Sequence, residues 1–152
     1  MGKIKFGRVI MGGLLAGVVI NVLEFLLNGP ILGAQWAAAM ESMNRAVPTG
    51  AGSMIGYIIW GFVLGIGLVW LYAAVRPRFG PGLKTAVLAG LVVWFFAWFL
   101  GFGSTVLVGM FPTNLVLVTL VWEIFELPIA TAIGAWLYQE GAPAGAAPVP
   151  GP

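Results

Sequence analysis

Four unbroken apolar stretches, each long enough to cross a bilayer, limit what this chain can become. A helix of about 20 apolar residues spans the hydrocarbon layer, and such stretches fall at about residues 8–28, 53–75, 84–109 and 115–138. Hydrophobic residues make up 61% of the 152 and charged residues only 8%, against about 25% charged in a soluble domain. That inventory cannot clothe a water-facing surface. The runs are too continuous for strands, which in lipid must alternate and close into a barrel. The expectation is an all-α, polytopic membrane four-helix bundle over residues 1–140, followed by a Pro/Ala/Gly-rich tail, "GAPAGAAPVPGP", at 141–152.

The opening "MGKIKFGR" and the apolar run behind it have the layout of a signal peptide. The run continues to about residue 27 with no small-residue cleavage site after it, so a retained first span is expected. Phe6 stands where a myristoylation motif needs Ser or Thr. Lys3, Lys5 and Arg8 precede the first span, and Arg76, Arg78 and Lys84 lie between the second and third. Only Arg45 falls on the other side. The positive-inside rule then places both termini in the cytoplasm, with loops near 29–52 and 110–114 outside. The basic residues form no aromatic-interleaved patch, which argues against nucleic acid.

The chain contains no Cys, no His and no Asp; its five acids are Glu24, Glu41, Glu123, Glu126 and Glu140. Thiol nucleophiles, disulfides, imidazole acid–base chemistry and thiolate or imidazole metal sites are therefore excluded. No catalytic residue, metal ligand or side-chain-ligated cofactor is expected, and the protein is read as a non-enzyme.

The connections differ in kind. "AVRPRFGPGLK" (74–84) reads as a basic turn stiffened by Pro77 and Pro81, and "FPTN" (111–114) as a tight turn. In the longer loop, Leu32, Trp36, Met40 and Met43 recur at helical spacing, while Glu41 and Arg45 form an i,i+4 pair. This predicts a short helix over about 31–46 on the outer membrane surface. An internal repeat is also visible. "GLLAGVVINVLEFLLN" (13–28) aligns without gaps to "AVLAGLVVWFFAWFLG" (86–101), and the second and fourth spans both end in Trp-Leu-Tyr. Each half would be a helical hairpin, the two sharing one orientation across the membrane.

Polar residues inside the spans are few. Asn21, Glu24 and Asn28 share one face of the first span, and Thr119, Glu123 and Glu126 one face of the fourth. No Lys or Arg falls within the apolar body of any span, so these carboxyls lack a cationic partner there. An ionised carboxylate at mid-membrane costs at least about 2.5 kcal/mol, so neutral acids are expected when no cation is bound. Two readings stay open: the acids converge with the two Asn on a proton or cation site, or they hydrogen-bond across helices to hold the bundle together. Pro128 frees a carbonyl near residue 124 and could open a polar spot beside Glu123 and Glu126.

Small-xxx-small pairs mark each span: Gly13 with Gly17, Gly61 with Gly65, Ala86 with Gly90, and Ala130 with Gly134. Their expected role is close helix packing. Trp36, Trp70, Tyr72, Trp136 and Tyr138 are expected as interface anchors. The bulky "WFFAWF" run (94–99) suits lipid, a partner subunit, or a pigment or quinone tail.

The stretches "LLAGVVINVLEFLLNG", "VWLYAAVRPRFGPG" and "GAWLYQE" resemble small four-span bacterial membrane proteins of no known activity. The resemblance covers most of residues 8–140 and implies an architecture and a bacterial cytoplasmic membrane, but no site. The length and the Glu in the first span are also similar to small multidrug transporters. The longer loop and the two acids of the fourth span depart from them, and that function is not carried over. The leading expectation is a non-catalytic accessory subunit of a larger bacterial membrane complex, respiratory or photosynthetic for instance. Lipids and partner subunits would surround it. The alternative is a small homo-oligomeric transporter or channel that binds a proton or cation at Glu24, Glu123 and Glu126.

Overall fold

The computed structural model describes residues 4–138, and every regular element among them is helical. Helix α1 (Phe6–Leu26) runs on through a π-helical turn, Leu27–Ile31. Helix α2 (Gly33–Ser42) is short and α3 (Ala51–Phe79) long. Helix α4 (Leu83–Val93), a π-helical stretch (Trp94–Phe102) and α5 (Ser104–Leu107) follow one another closely, and α6 (Thr113–Leu137) closes the fold. Four helices are long and apolar enough to cross a membrane: Phe6–Ile31, Ala51–Phe79, Leu83–Leu107 and Thr113–Leu137, here the first to fourth spans. The tail at 141–152 and Glu140 lie outside the described residues.

Several ends differ from the sequence reading, each for a local reason. The second span runs through Pro77 to Phe79, so half of the expected basic turn is helix. Arg76 and Arg78 sit in its last turn, where cations oppose the negative end of the helix dipole. The turn itself is the three-residue Gly80–Gly82, with both glycines at positive φ (82° and 121°). Helix α2 ends early, at Ser42. Asn44 takes a left-handed conformation (φ 55°) while the Arg45 and Asn44 N–H groups return to the carbonyls of Met40 and Glu41. This is the Schellman closure, and it carries Arg45 out of the i,i+4 register with Glu41. Gly109 (φ 66°) ends the third span in the same way.

The spans alternate in direction. Tyr72, near the end of the second span, and Tyr138, just past the fourth, meet edge to face at 6.1 Å. The Gly82 N–H donates to the Tyr72 hydroxyl (3.2 Å) and the Lys5 N–H to the Tyr138 hydroxyl (3.5 Å). Gly82 and Lys5 cap the third and first spans. One end of the bundle thus gathers two helix starts and two helix ends. Both tyrosines are buried there, not lipid-facing anchors, because each phenol satisfies an otherwise unpaired N–H at a helix start. Trp70 and Trp136 do face outward.

Glycines set the closest approaches. On the first span two neighbouring rows, each at a spacing of four, serve different partners. Gly13 and Gly17 lie on the second span, where a Cβ on either would come within 2.4 Å of Ile66 and 2.5 Å of Phe62 respectively. Gly65 answers from the second span, its Cβ position 2.4 Å from the Gly17 nitrogen. Gly12, in the adjacent row with Ala16 and Ile20, abuts Gly134 of the fourth span at 2.5 Å from the carbonyl oxygen. Gly90 of the third span rests on Pro128 of the fourth, 2.7 Å from a built Cβ. At the opposite end of the bundle, α2 is seated by Leu32, Trp36 and Ala39 against Leu27, Leu115, Phe111 and Trp122. It therefore packs on the bundle as well as flanking it.

Backbone-on-backbone contact leaves no room for a methyl group. Gly65→Ala should destabilise the protein by roughly 1–3 kcal/mol, the usual cost of overpacking. Gly67→Ala on the same helix, where a Cβ meets open space, should be neutral or mildly stabilising. Thermal unfolding of the two variants in detergent checks the contrast.

Candidate functional site

The row Gly12, Ala16, Ile20 that faces the fourth span continues at a spacing of four to Glu24. On the fourth span, the buried row through Gly134, Ala130 and Leu127 continues upward to Glu126 and Glu123. Docking these two rows brings the three carboxyls together: one oxygen from each of Glu24, Glu123 and Glu126 lies within 4.8 Å of the other two. Glu123 is 0% exposed, Glu126 2% exposed, and Glu24 half-buried. Glu24 stands seven residues, about 10 Å, from the end of its span.

Two of the three carboxyls are held by donors. The Trp122 indole N–H donates to Glu126 Oε2 at 2.7 Å, one turn along the same helix. The Asn28 amide nitrogen donates to Glu24 Oε2 and also to the Glu24 backbone carbonyl (3.1 Å). Asn28 Oδ1 in turn accepts from the Trp36 indole at 2.8 Å. An indole N–H can only donate, so Trp36 fixes which end of the Asn28 amide faces Glu24. The remaining oxygens are bare. Both oxygens of Glu123 and Oε1 of Glu126 are buried without a hydrogen-bond partner. The Trp98 indole and the Glu24 carboxyl both approach Glu123. The π-helical segments Leu27–Ile31 and Trp94–Phe102 start close to Glu24 and include Trp98 respectively. Such segments bend a helix locally and recur at functional sites.

Three ionised carboxylates this close could not stand alone. At an effective dielectric of about 20, two unit charges about 4.8 Å apart repel by about 3.5 kcal/mol. Three such pairs approach the whole stability of an ordinary fold, about 5–15 kcal/mol. Protons or a cation must offset the charge.

The structure divides the polar residues singled out from sequence. Asn28 joins the carboxyls through Glu24. Asn21 does not: it follows the Gly13–Gly17 row to the second span, where its amide donates to Gly17 O (2.8 Å) and Ile58 O (3.2 Å) and fills the space beside Gly61. The Thr119 hydroxyl donates to Leu115 O of its own helix (3.0 Å). Pro128 is used against Gly90 in the third-span contact. Trp36, expected at the headgroup level, is half-buried beside Phe102 and Phe111 and bonded to Asn28. Sequence reasoning missed the pairing of Trp122 with Glu126, although their i,i+4 spacing was the signal for it. Comparison with protein-family models, curated proteins and solved structures returns no match.

The Trp36–Asn28–Glu24 chain predicts non-additive energetics. Trp36→Phe and Asn28→Leu should each cost about 1 kcal/mol. The double variant should cost less than the sum, because Trp36 acts on the carboxyl only through Asn28. A double-mutant cycle by thermal or chemical unfolding measures the coupling.

Proposed function

We propose that this chain is a small multi-pass membrane transporter or channel, not an enzyme, that takes a proton or cation into the carboxyl cluster between its first and fourth spans. The observation that carries the reading is the convergence of Glu24, Glu123 and Glu126, with Glu123 fully buried and both its oxygens unpartnered. Intramembrane acids mark ion and proton pathways, and a purely structural carboxyl would have its hydrogen bonds made. The half-buried Glu24 and exposed Asn28 step from the rim of the bundle toward Glu123. The accessory-subunit reading rests on the lack of catalytic groups and on the small-residue and aromatic faces; the carboxyl geometry is what favours transport over it.

The bundle is further read as two tandem hairpins in parallel orientation. Gly17 meets Phe62 in the first half as Gly90 meets Pro128 in the second. These are corresponding positions, since 17 aligns to 90 and 62 to 128 when the two Trp-Leu-Tyr ends are matched. Tyr72 and Tyr138, also equivalent, touch each other and each serves the start of the other hairpin. These paired contacts support a two-fold axis along the membrane normal. The end bearing the tyrosines also bears Lys5, Arg8, Arg76, Arg78 and Lys84, which supports a cytoplasmic location for both termini. The resemblance to four-span bacterial proteins supports a bacterial cytoplasmic membrane. Exposed apolar side chains, among them Phe96, Trp60 and Phe125, suit lipid or further copies of the chain.

In proteoliposomes, Glu24→Gln and Glu123→Gln should each abolish proton- or cation-dependent flux while purified variants keep the native particle size and unfolding midpoint. Undiminished flux in both would remove the carboxyls from transport. Orientation has its own test, because the chain has no native Cys. A cysteine at position 41 should react with an impermeant maleimide on intact cells, and one at position 80 only after lysis.

A further inference from the structure

We propose that Glu24, Glu123 and Glu126 bind a hard divalent cation through carboxylate oxygens, with Ca2+ or Mn2+ preferred over Mg2+. The proposal deepens the transport reading by naming the class of ion, and it rests on that reading only for the ion's passage across the membrane. Three features of the cluster carry it.

The donor set comes first. The only side chains converging with metal-ligand spacing among the described residues are carboxylates. Oxygen-only sets suit hard cations such as Ca2+, Mn2+ and Mg2+, whereas soft metals and zinc favour nitrogen and sulfur. Size follows. Ca2+ binds oxygen at about 2.3–2.6 Å, so oxygens up to about 5 Å apart can share one ion. The three oxygens here lie within 4.8 Å of one another and fall inside that reach. Mg2+ demands near-ideal octahedral geometry and gives up its waters reluctantly, so a largely buried set of three carboxylates suits it less well. The ligand field of three carboxylates also favours charge two over one, because a monovalent ion leaves more uncompensated negative charge in a low-dielectric interior.

Second, the bare oxygens point to a ligand. Glu123 is completely buried, aimed into the cluster, and has neither oxygen hydrogen-bonded. Third, the flanking acids carry outer donors of the kind that orient metal ligands. Asn28 holds one oxygen of Glu24, and Trp122 holds Oε2 of Glu126, leaving Oε1 bare. Partners in such positions tune affinity by about 10–100-fold.

The test uses the full chain purified in detergent, with 45Ca2+ equilibrium binding and Mn2+ binding followed by electron paramagnetic resonance. One saturable site per chain is expected, with Mn2+ displacing Ca2+ well ahead of Mg2+ and Na+ failing to displace it. Glu123→Gln should weaken binding by at least about 100-fold, the upper end of what even an outer partner contributes. Glu41→Gln, at an exposed position of α2, should leave it unchanged. If Glu123→Gln fails to fold, Trp122→Phe keeps all three carboxyls and should still weaken binding by about 10–100-fold. Absence of saturable Ca2+ and Mn2+ binding by folded protein overturns the proposal, as does equal displacement by Mg2+ or Na+. Flux of protons or monovalent ions without divalent binding would overturn this inference and leave the transport reading intact. Divalent binding with no flux of any ion would support the site and overturn transport.

Discussion

Contact between the first span's backbone and those of the second and fourth determines where the remaining side chains point. In a membrane, no hydrophobic effect separates helix from lipid, so helices associate through packing and hydrogen bonds at close range. Gly13, Gly17 and Gly65 bring the first two spans together at distances that no Cβ would allow, and Gly12 with Gly134 does the same for the first and fourth. Once both contacts form, the rotation of the first span about its axis is settled. The row ending in Asn21 must then lie on the second span, and the row ending in Glu24 on the fourth. The carboxyl cluster is a consequence of glycine placement three turns away.

Much of this was legible from the residues, and what was not has a physical explanation. Long apolar runs declare themselves through composition alone, so the four spans stood out; their ends did not, because Pro77 is tolerated in a last turn and Asn44 ends α2 by a left-handed backbone. Grouping Asn21 with Glu24 followed from helical spacing. Three residues subtend about 60° on a helix, enough to divide two neighbours between different partners once three helices pack together. Periodicity on one helix cannot show this. The tyrosines were misread for a related reason: a Tyr near a span end looks the same whether its hydroxyl meets lipid headgroups or a helix start in the adjoining hairpin. The meeting of Glu24 with the fourth-span acids depended on helix order, which local sequence does not encode.

The two hairpins, if equivalent, have two equivalent seams, first span with fourth and second span with third. Only one carries acids. The positions corresponding to Glu24, Glu123 and Glu126 are Ala97, Tyr57 and Trp60, small or aromatic groups with no carboxylate. One glycine contact has a counterpart in the second half, Gly17 on Phe62 and Gly90 on Pro128, whereas the three clustered carboxyls occur at a single seam, between the first and fourth spans. The π-helical segments near the ends of the first and third spans likewise recur, but only the first leads from a carboxyl.

The tyrosine pair bears on how much the fold needs its own covalent continuity. Tyr72 ties the second span to the start of the third, and Tyr138 ties the last span to the start of the first. Spatially, the four helices form a ring of neighbours with no privileged beginning. The peptide link at Gly80–Gly82 follows a junction that the Tyr138–Lys5 contact makes without any link. Two half-length polypeptides carrying residues before and after that turn would then contain all the surfaces needed to find each other in a bilayer.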